Sequence, residues 1–231
     1  MVKSSVRARI AGTIALAAAS ALLPAAPASG TPVDGEVSAG AYALGGGACE
    51  VQTASDGKVT STFQPGDGGR TATSTADFLA RDGGDRESVH GHSETSSTGV
   101  AVARDGALGK VTFTAQQQVT MTDDRASDCG LRIVDDTQAE ALVRVRRRGR
   151  LRIAWESGGA GVIEQILVSR NGTLKFNDFL PGEQGTASIR VGRGRFRIYT
   201  HFSTRVGEDE VATHDTVTRK GDYSTVVTFR R

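Results

Sequence analysis

The chain has 231 residues, with 28 lysines and arginines against 26 aspartates and glutamates and a formal charge of +2. That near-neutral balance argues against bulk attraction to nucleic acid. Aromatic residues at 5 % cannot supply the two girdles of an outer-membrane barrel.

In chain order, Lys3, Arg7 and Arg9 precede an apolar run over 10–23, which ends in the small-x-small exit Ala26-Pro27-Ala28. This is the pattern of a secretory signal peptide over residues 1–28. An uncleaved anchor is the alternative, but the run is shorter than the roughly twenty residues a spanning helix needs. No paired arginines precede it, and Cys49 stands too far from it to be a lipid-attachment cysteine. The expectation is a freely secreted, extracellular protein of bacterial type, with no transmembrane segment after leader removal. Removal leaves 203 residues of charge −1, enough for one domain with a substantial core.

Residues 29–40 read as a flexible N-terminal segment, and 41–231 as the folded domain. Short runs rich in Val, Thr and Phe follow at 59–63, 100–103 and 110–121. Turn signals separate them: Asp56-Gly57, Asp82-Gly83-Gly84, Asp105-Gly106, Asn171-Gly172 and Lys220-Gly221-Asp222. Asn171-Gly172 is the sharpest, because Asn-Gly accepts the positive φ angles of a two-residue hairpin. Two short helices compete with strand readings, at 75–81 and at 137–142 behind Asp136. The stretch 70–97 is rich in Ser, Thr and Ala and reads as edge strands or a solvated face. Ten or more short strands with frequent turns predict an all-β fold: a single antiparallel β-sandwich, jelly-roll or Ig-like.

Cys49 and Cys129 are the only cysteines. In an exported protein they are expected to pair, closing a loop that would stabilise the fold by about 4 kcal/mol. Two free thiols are the alternative.

The most unusual stretch is 143–155. Strand alternation puts Val143, Val145, Leu151, Ile153 and Trp155 on one side, and Arg144, Arg146 and Arg152 on the other, with Arg147, Arg148, Gly149 and Arg150 at the turn. A second stretch, 189–198, echoes it with Arg190, Arg193, Arg195 and Arg197, of which Arg195 and Arg197 point outward while Phe196 and Ile198 point inward. Both read as hairpins. Ten guanidinium groups could form a focused positive field for phosphate, sulfate or carboxylate. The competing reading is that these arginines keep solvated strands from pairing edge to edge. They would then be neutralised by acids such as Asp123, Asp124, Asp135, Asp136, Glu208, Asp209 and Glu210.

Other chemistry is thinly represented. His90 and His92 share one strand face at a spacing that can chelate a metal. Asp123, Asp124 and Asp128 cluster beside Cys129 without the order of a calcium loop. Ser93 follows Gly91-His92 but lacks the second glycine of a nucleophile elbow. Neither a zinc-protease motif nor a phosphate-binding glycine loop occurs, so no cofactor is expected. Glu156 and Glu164 stay open as a carboxylate pair.

The stretch from Phe179 to Ser203 contains a Pro181-Gly182 turn and the strand Gly194-Arg195-Phe196-Arg197-Ile198. It resembles the late hairpin of exported bacterial β-sandwich domains of uncharacterised function, and the likeness covers residues 139–206. It implies a jelly-roll-like module and supplies no catalytic positions. The leading expectation is a secreted, non-catalytic sandwich that binds an anionic cell-envelope polymer through its arginine hairpins, with no nucleic-acid partner. A hydrolase or metal-dependent enzyme assembled from separated strands is one alternative, and an inhibitor-like module with a protein partner is another. No residue pattern specifies an oligomeric state.

Overall fold

The computed structural model describes residues 31–46, 49–81, 87–124, 130–207, 210–211 and 214–231. The expected leader, the Asp82-Gly83-Gly84 turn, Asp128, Cys129, Glu208 and Asp209 lie outside the described residues. No helix among the described residues is long and apolar enough to cross a membrane.

Thirteen strands are described: β1 (Val33–Gly46), β2 (Glu50–Ser55), β3 (Val59–Phe63), β4 (Gly69–Arg81), β5 (Glu87–Arg104), β6 (Ala107–Asp123), β7 (Gly130–Val145), β8 (Gly149–Gly159), β9 (Gly161–Arg170), β10 (Thr173–Phe179), β11 (Gln184–Val191), β12 (Gly194–Val206) and β13 (Asp215–Arg230). They form two antiparallel sheets, a six-stranded one in the order β10-β9-β12-β7-β1-β3 and a seven-stranded one in the order β11-β8-β13-β6-β5-β4-β2. The protein is an all-β sandwich, as its sequence predicts. Its strands are longer than expected, however, reaching 18 residues in β5.

The core follows from period-two alternation. Along β7, Ala139, Ala141, Val143 and Val145 are buried while Gln138, Glu140, Leu142 and Arg144 are half-exposed. Two apolar clusters result. The larger holds Val111, Phe113, Val143, Leu151, Phe196 and Ile198, and the smaller holds Val89, Val119, Met121, Ile133 and Val206. Polar residues separate the two clusters on four of the long strands. Ser93 and Thr95 do so on β5, Gln117 on β6, Asp135 and Thr137 on β7, and Thr204 on β12, all of them buried. Hydrogen bonds join the sheets across this waist, from Ser93 Oγ to Asp135 Oδ1 at 2.5 Å and from Gln117 Nε2 to Thr137 Oγ1 at 3.1 Å.

Several expectations are corrected. The segment 29–40 is not a tether from Val33 onward, because β1 lies between β7 and β3 and is paired to both. Both candidate helices are strands. In 75–81 the residues Ala76, Phe78 and Ala80 are buried alternately, and long-range pairing with β5 and β2 overrides the weak helical preference. The same happens in 137–142, where Thr137, Ala139 and Ala141 face inward between β1 and β12. The Ser/Thr-rich stretch 70–97 is a sheet edge only in part: β2 pairs with Ala76–Arg81 and leaves the first half of β4 without a partner strand on that side, whereas β5 is paired to both β4 and β6. Gly221 lies inside β13 and makes no turn. Asn171-Gly172 does turn, with φ of 49° and 75°, and joins Arg170 to Thr173 in a two-residue hairpin.

Candidate functional site

The two arginine stretches are not hairpins. β7 belongs to the six-stranded sheet and β8 to the seven-stranded one, so residues 146–148 form a corner where the chain changes sheets. β11 and β12 change sheets in the same way at Gly192 and Arg193. A sheet-to-sheet corner and a hairpin share one local pattern, an alternating strand, a glycine-bearing break and another alternating strand. The pairing partners make the difference.

Those partners bring the corners side by side. β12 pairs with β7, placing Arg195 opposite Arg144, and β11 pairs with β8, placing Arg190 opposite Arg150. Arg150 also faces Arg230 of β13, so Arg190, Arg150 and Arg230 form one cross-strand row on the outer face of the seven-stranded sheet. Arg152 is exposed on that same face. Arg144 is half-buried on the outer face of the six-stranded sheet, where Arg195 and Arg197 are exposed. Arg146, Arg147, Arg148 and Arg193 are exposed on the corners between the two faces. The expected positive face is therefore a collar around one end of the sandwich.

Three arginines join this end that strand alternation did not single out. Arg104 precedes the Asp105-Gly106 turn between β5 and β6, and Arg230 and Arg231 follow the last inward residues of β13. Their sequence signal was weak, a basic residue beside a turn and a basic pair at the end of a strand. With Arg146 and Arg147 they line a cleft of about 500 Å³.

Among the described residues, most of the acids expected to neutralise the arginines are engaged elsewhere. Asp136 pairs with His201, and Glu210 with Arg219 at 3.1 Å. Asp135 is buried beside Ser93, and Asp123 is buried at the far end of β6, roughly 50 Å along the strand from the Asp105-Gly106 turn. Of the ten arginines singled out, Arg197 bonds Glu140 at 2.5 Å, and that hydrogen bond raises the Arg197 pKa above its ordinary value. Arg150 Nη1 donates to Ser188 Oγ at 3.4 Å. Among the described residues no ion pair engages Arg146, Arg147, Arg148, Arg150, Arg190 or Arg193.

The other candidates do not assemble. His92 Nδ1 lies 2.6 Å from Asp77 Oδ1, and its Nε2 lies 3.4 Å from Glu94 Oε1. The Asp77 hydrogen bond raises the His92 pKa, which favours an imidazolium with no lone pair for a metal. His90 stands exposed two residues away on the same face. Among the described residues no group of three His, Cys, Asp or Glu side chains is placed to hold a metal ion. The nearest approach to catalytic geometry is His201 on Asp136, in the outer face of the six-stranded sheet. Its neighbour Ser203 is buried and donates to Glu164 Oε1 at 2.5 Å, so that hydroxyl is engaged away from the imidazole. Glu164 is taken by Ser203 and Arg205, and Glu156 lies exposed on the other sheet. Cys49 is not a free thiol, and the pairing expected for it falls on Cys129, outside the described residues.

No known family model matches the chain, and no curated protein sequence matches it. Among solved structures the chain is similar to the secreted serine protease VesC from Vibrio cholerae, at 10 % identity over 84 % of this chain and 44 % of that one, with a TM-score of 0.24. It is similar to a carbohydrate-binding module of the β-sandwich superfamily at 11 % identity, over 84 % of this chain and 98 % of that one, with a TM-score of 0.24. It is also similar to a GH31 α-xylosidase from Xanthomonas citri at 6 % identity, over 78 % of this chain and 32 % of that one, with a TM-score of 0.17. The chain spans less than half the length of the protease and xylosidase chains it matches. Likenesses of this size say nothing of what the chain does, and the collar's own geometry is the ground for a functional reading.

Proposed function

We propose that this is an exported, non-catalytic β-sandwich that binds an anionic polymer of the cell envelope through its arginine collar. One observation carries the reading: Arg150 faces Arg190 on one side and Arg230 on the other, and no ion pair with an acid relieves the row among the described residues. Like charges directly opposite on a sheet destabilise it by roughly 0.2–1 kcal/mol per pair. Solubility alone does not require such a row, because alternating signs achieve it without repulsion. A polyanion laid along the collar would relieve the repulsion. Arginine suits that task, since its planar fork grips phosphate, sulfate and carboxylate with two parallel bonds.

Export rests on residues 1–28 acting as a cleaved leader, and a disulfide between Cys49 and Cys129 belongs to the same reading. A mobility shift between reducing and non-reducing gels of the secreted protein would report that bond.

Heparin chromatography tests the collar. The protein is expected to stay bound at the physiological ionic strength of about 0.15 M and to elute well above it. The variant R150Q/R190Q should elute earlier, with a log–log salt slope smaller by about 2, because each lost contact releases one fewer counterion. Its melting temperature should hold or rise, since the repulsion goes too. Elution of the unaltered protein at or below about 0.15 M would remove the proposal.

A further inference from the structure

We infer that the cleft beside the collar is a separate subsite for a compact, multiply charged anion, of the class of a pyrophosphate or the phosphorylated end of a chain. It rests on the collar reading only in taking this end of the sandwich as its anion-binding end. The cleft is built from three elements. The β5–β6 turn supplies Arg104 and Asp105, the β7–β8 corner supplies Arg146 and Arg147, and the end of β13 supplies Arg230 and Arg231. Five guanidinium groups thus surround one concavity against a single side-chain carboxylate.

Two glycines shape it. Gly106 adopts φ 65°, and a β-carbon there would lie 2.6 Å from Arg146 Nη2. The Arg146 guanidinium therefore leans from its corner across to the turn and rests on the bare Gly106 backbone. At Gly149 a β-carbon would lie 2.4 Å from the Arg230 carbonyl oxygen and 2.6 Å from Phe229 Cζ, so the missing side chain makes room for the end of β13, whose Phe229 lines the cleft together with Leu108. Charges over an apolar floor interact more strongly than the same charges in water. Positive groups converging from three sides on about 500 Å³ favour several negative charges held close together over the single, spaced charges of a phosphodiester or carboxylate repeat.

Titration calorimetry of the purified protein with inorganic pyrophosphate, with inorganic sulfate as comparison, tests this beside the heparin column. Saturable one-to-one pyrophosphate binding, at least tenfold tighter than sulfate, is expected. R104Q/R146Q should weaken it tenfold or more, whereas R150Q/R190Q, which alters the row and not the cleft, should weaken it about twofold. Asp105→Asn should tighten it about threefold, because the one lining side-chain carboxylate is gone and Asn-Gly still makes the turn. Retention on heparin without saturable pyrophosphate binding would overturn the cleft and leave the collar standing. Saturable pyrophosphate binding without heparin retention would do the reverse. Pyrophosphate affinity unmoved in R104Q/R146Q would also overturn the inference.

Discussion

Replacing Asp135 by asparagine is expected to abolish most of the protein's loss of stability between acid and alkaline pH. Asp135 is fully buried on the inner face of β7, in the polar waist between the two apolar clusters. Ser93 Oγ donates to its Oδ1, and Oδ2 has no partner among the described residues. Burial disfavours the charged form and pushes its pKa up to about 8 from an ordinary 3.8; the Ser93 bond and the charge of His92 only partly oppose this.

The sign follows from proton counting. Between pH 3.8 and about 8 the folded chain holds a proton here that the unfolded chain has released. Stability therefore falls as pH rises through that window, and the loss is complete above it. Its size is on the order of 6 kcal/mol, which for a chain of this length moves Tm by about 12–24 °C. In Asp135→Asn the new amide stays neutral throughout and its oxygen still accepts from Ser93, though its NH₂ group is left to find an acceptor at a cost of about 1–2 kcal/mol.

Melting curves from about pH 3 to about pH 9, which bracket both values, should show a steep decline for the unaltered protein. The D135N profile should be much shallower and cross above it on the alkaline side. His92 slopes the same way, because its raised pKa stabilises the fold below about 6.5 and that contribution fades as pH climbs through the folded value. That slope is common to both proteins, so parallel profiles would mean that Asp135 is not the titrating group.

A second large effect is expected at Gly99. Phe63, on the edge strand β3, is fully buried and meets the Phe113 ring edge-on at 6.0 Å. Its ring lies in a slot made by two glycines, one from each sheet. A β-carbon at Gly35 would lie 2.1 Å from its Cζ, and one at Gly99 would lie 2.3 Å from its Cε1. Neither distance is tolerable, and a ring packed among buried neighbours cannot give way by a rotamer change. G99A is expected to cost about 3 kcal/mol by overpacking. Shrinking the intruded side chain should restore part of it: in G99A/F63L the urea midpoint should exceed the sum of the single changes by a coupling above about 1 kcal/mol. Strict additivity of the two substitutions would show that the slot does not hold the ring.

The candidate site was legible in part. Alternation alone sorted Val143, Val145, Leu151, Ile153 and Trp155 inward and the arginines outward, and the structure buries all five. It also sorted Phe196 and Ile198 from Arg195 and Arg197. Those assignments depend on the period of a strand, which is a local property. Gly221 misled because a glycine signals either a turn or a close approach. Here a β-carbon would lie 2.3 Å from Thr204 Oγ1 and 2.6 Å from the Tyr223 hydroxyl. That hydroxyl lies 2.6 Å from the Ser203 carbonyl, 2.7 Å from Thr204 Oγ1 and 3.0 Å from Gln117 Oε1. The glycine makes room for a polar junction between sheets that no window of sequence could show.

Residue order along the chain determined the class of fold, the face that Arg144, Arg152, Arg195 and Arg197 take and the Asn171-Gly172 turn, because each depends on neighbours within a few residues. Only the tertiary structure decided that the two arginine stretches are adjacent corners, that Arg104, Arg230 and Arg231 join them, and that Asp135, Asp136 and Glu210 are engaged elsewhere. Strand pairing is chosen by the burial of whole faces. Residues far apart in the chain meet through that choice, and the charge field at their meeting place exists only once the sheets have closed.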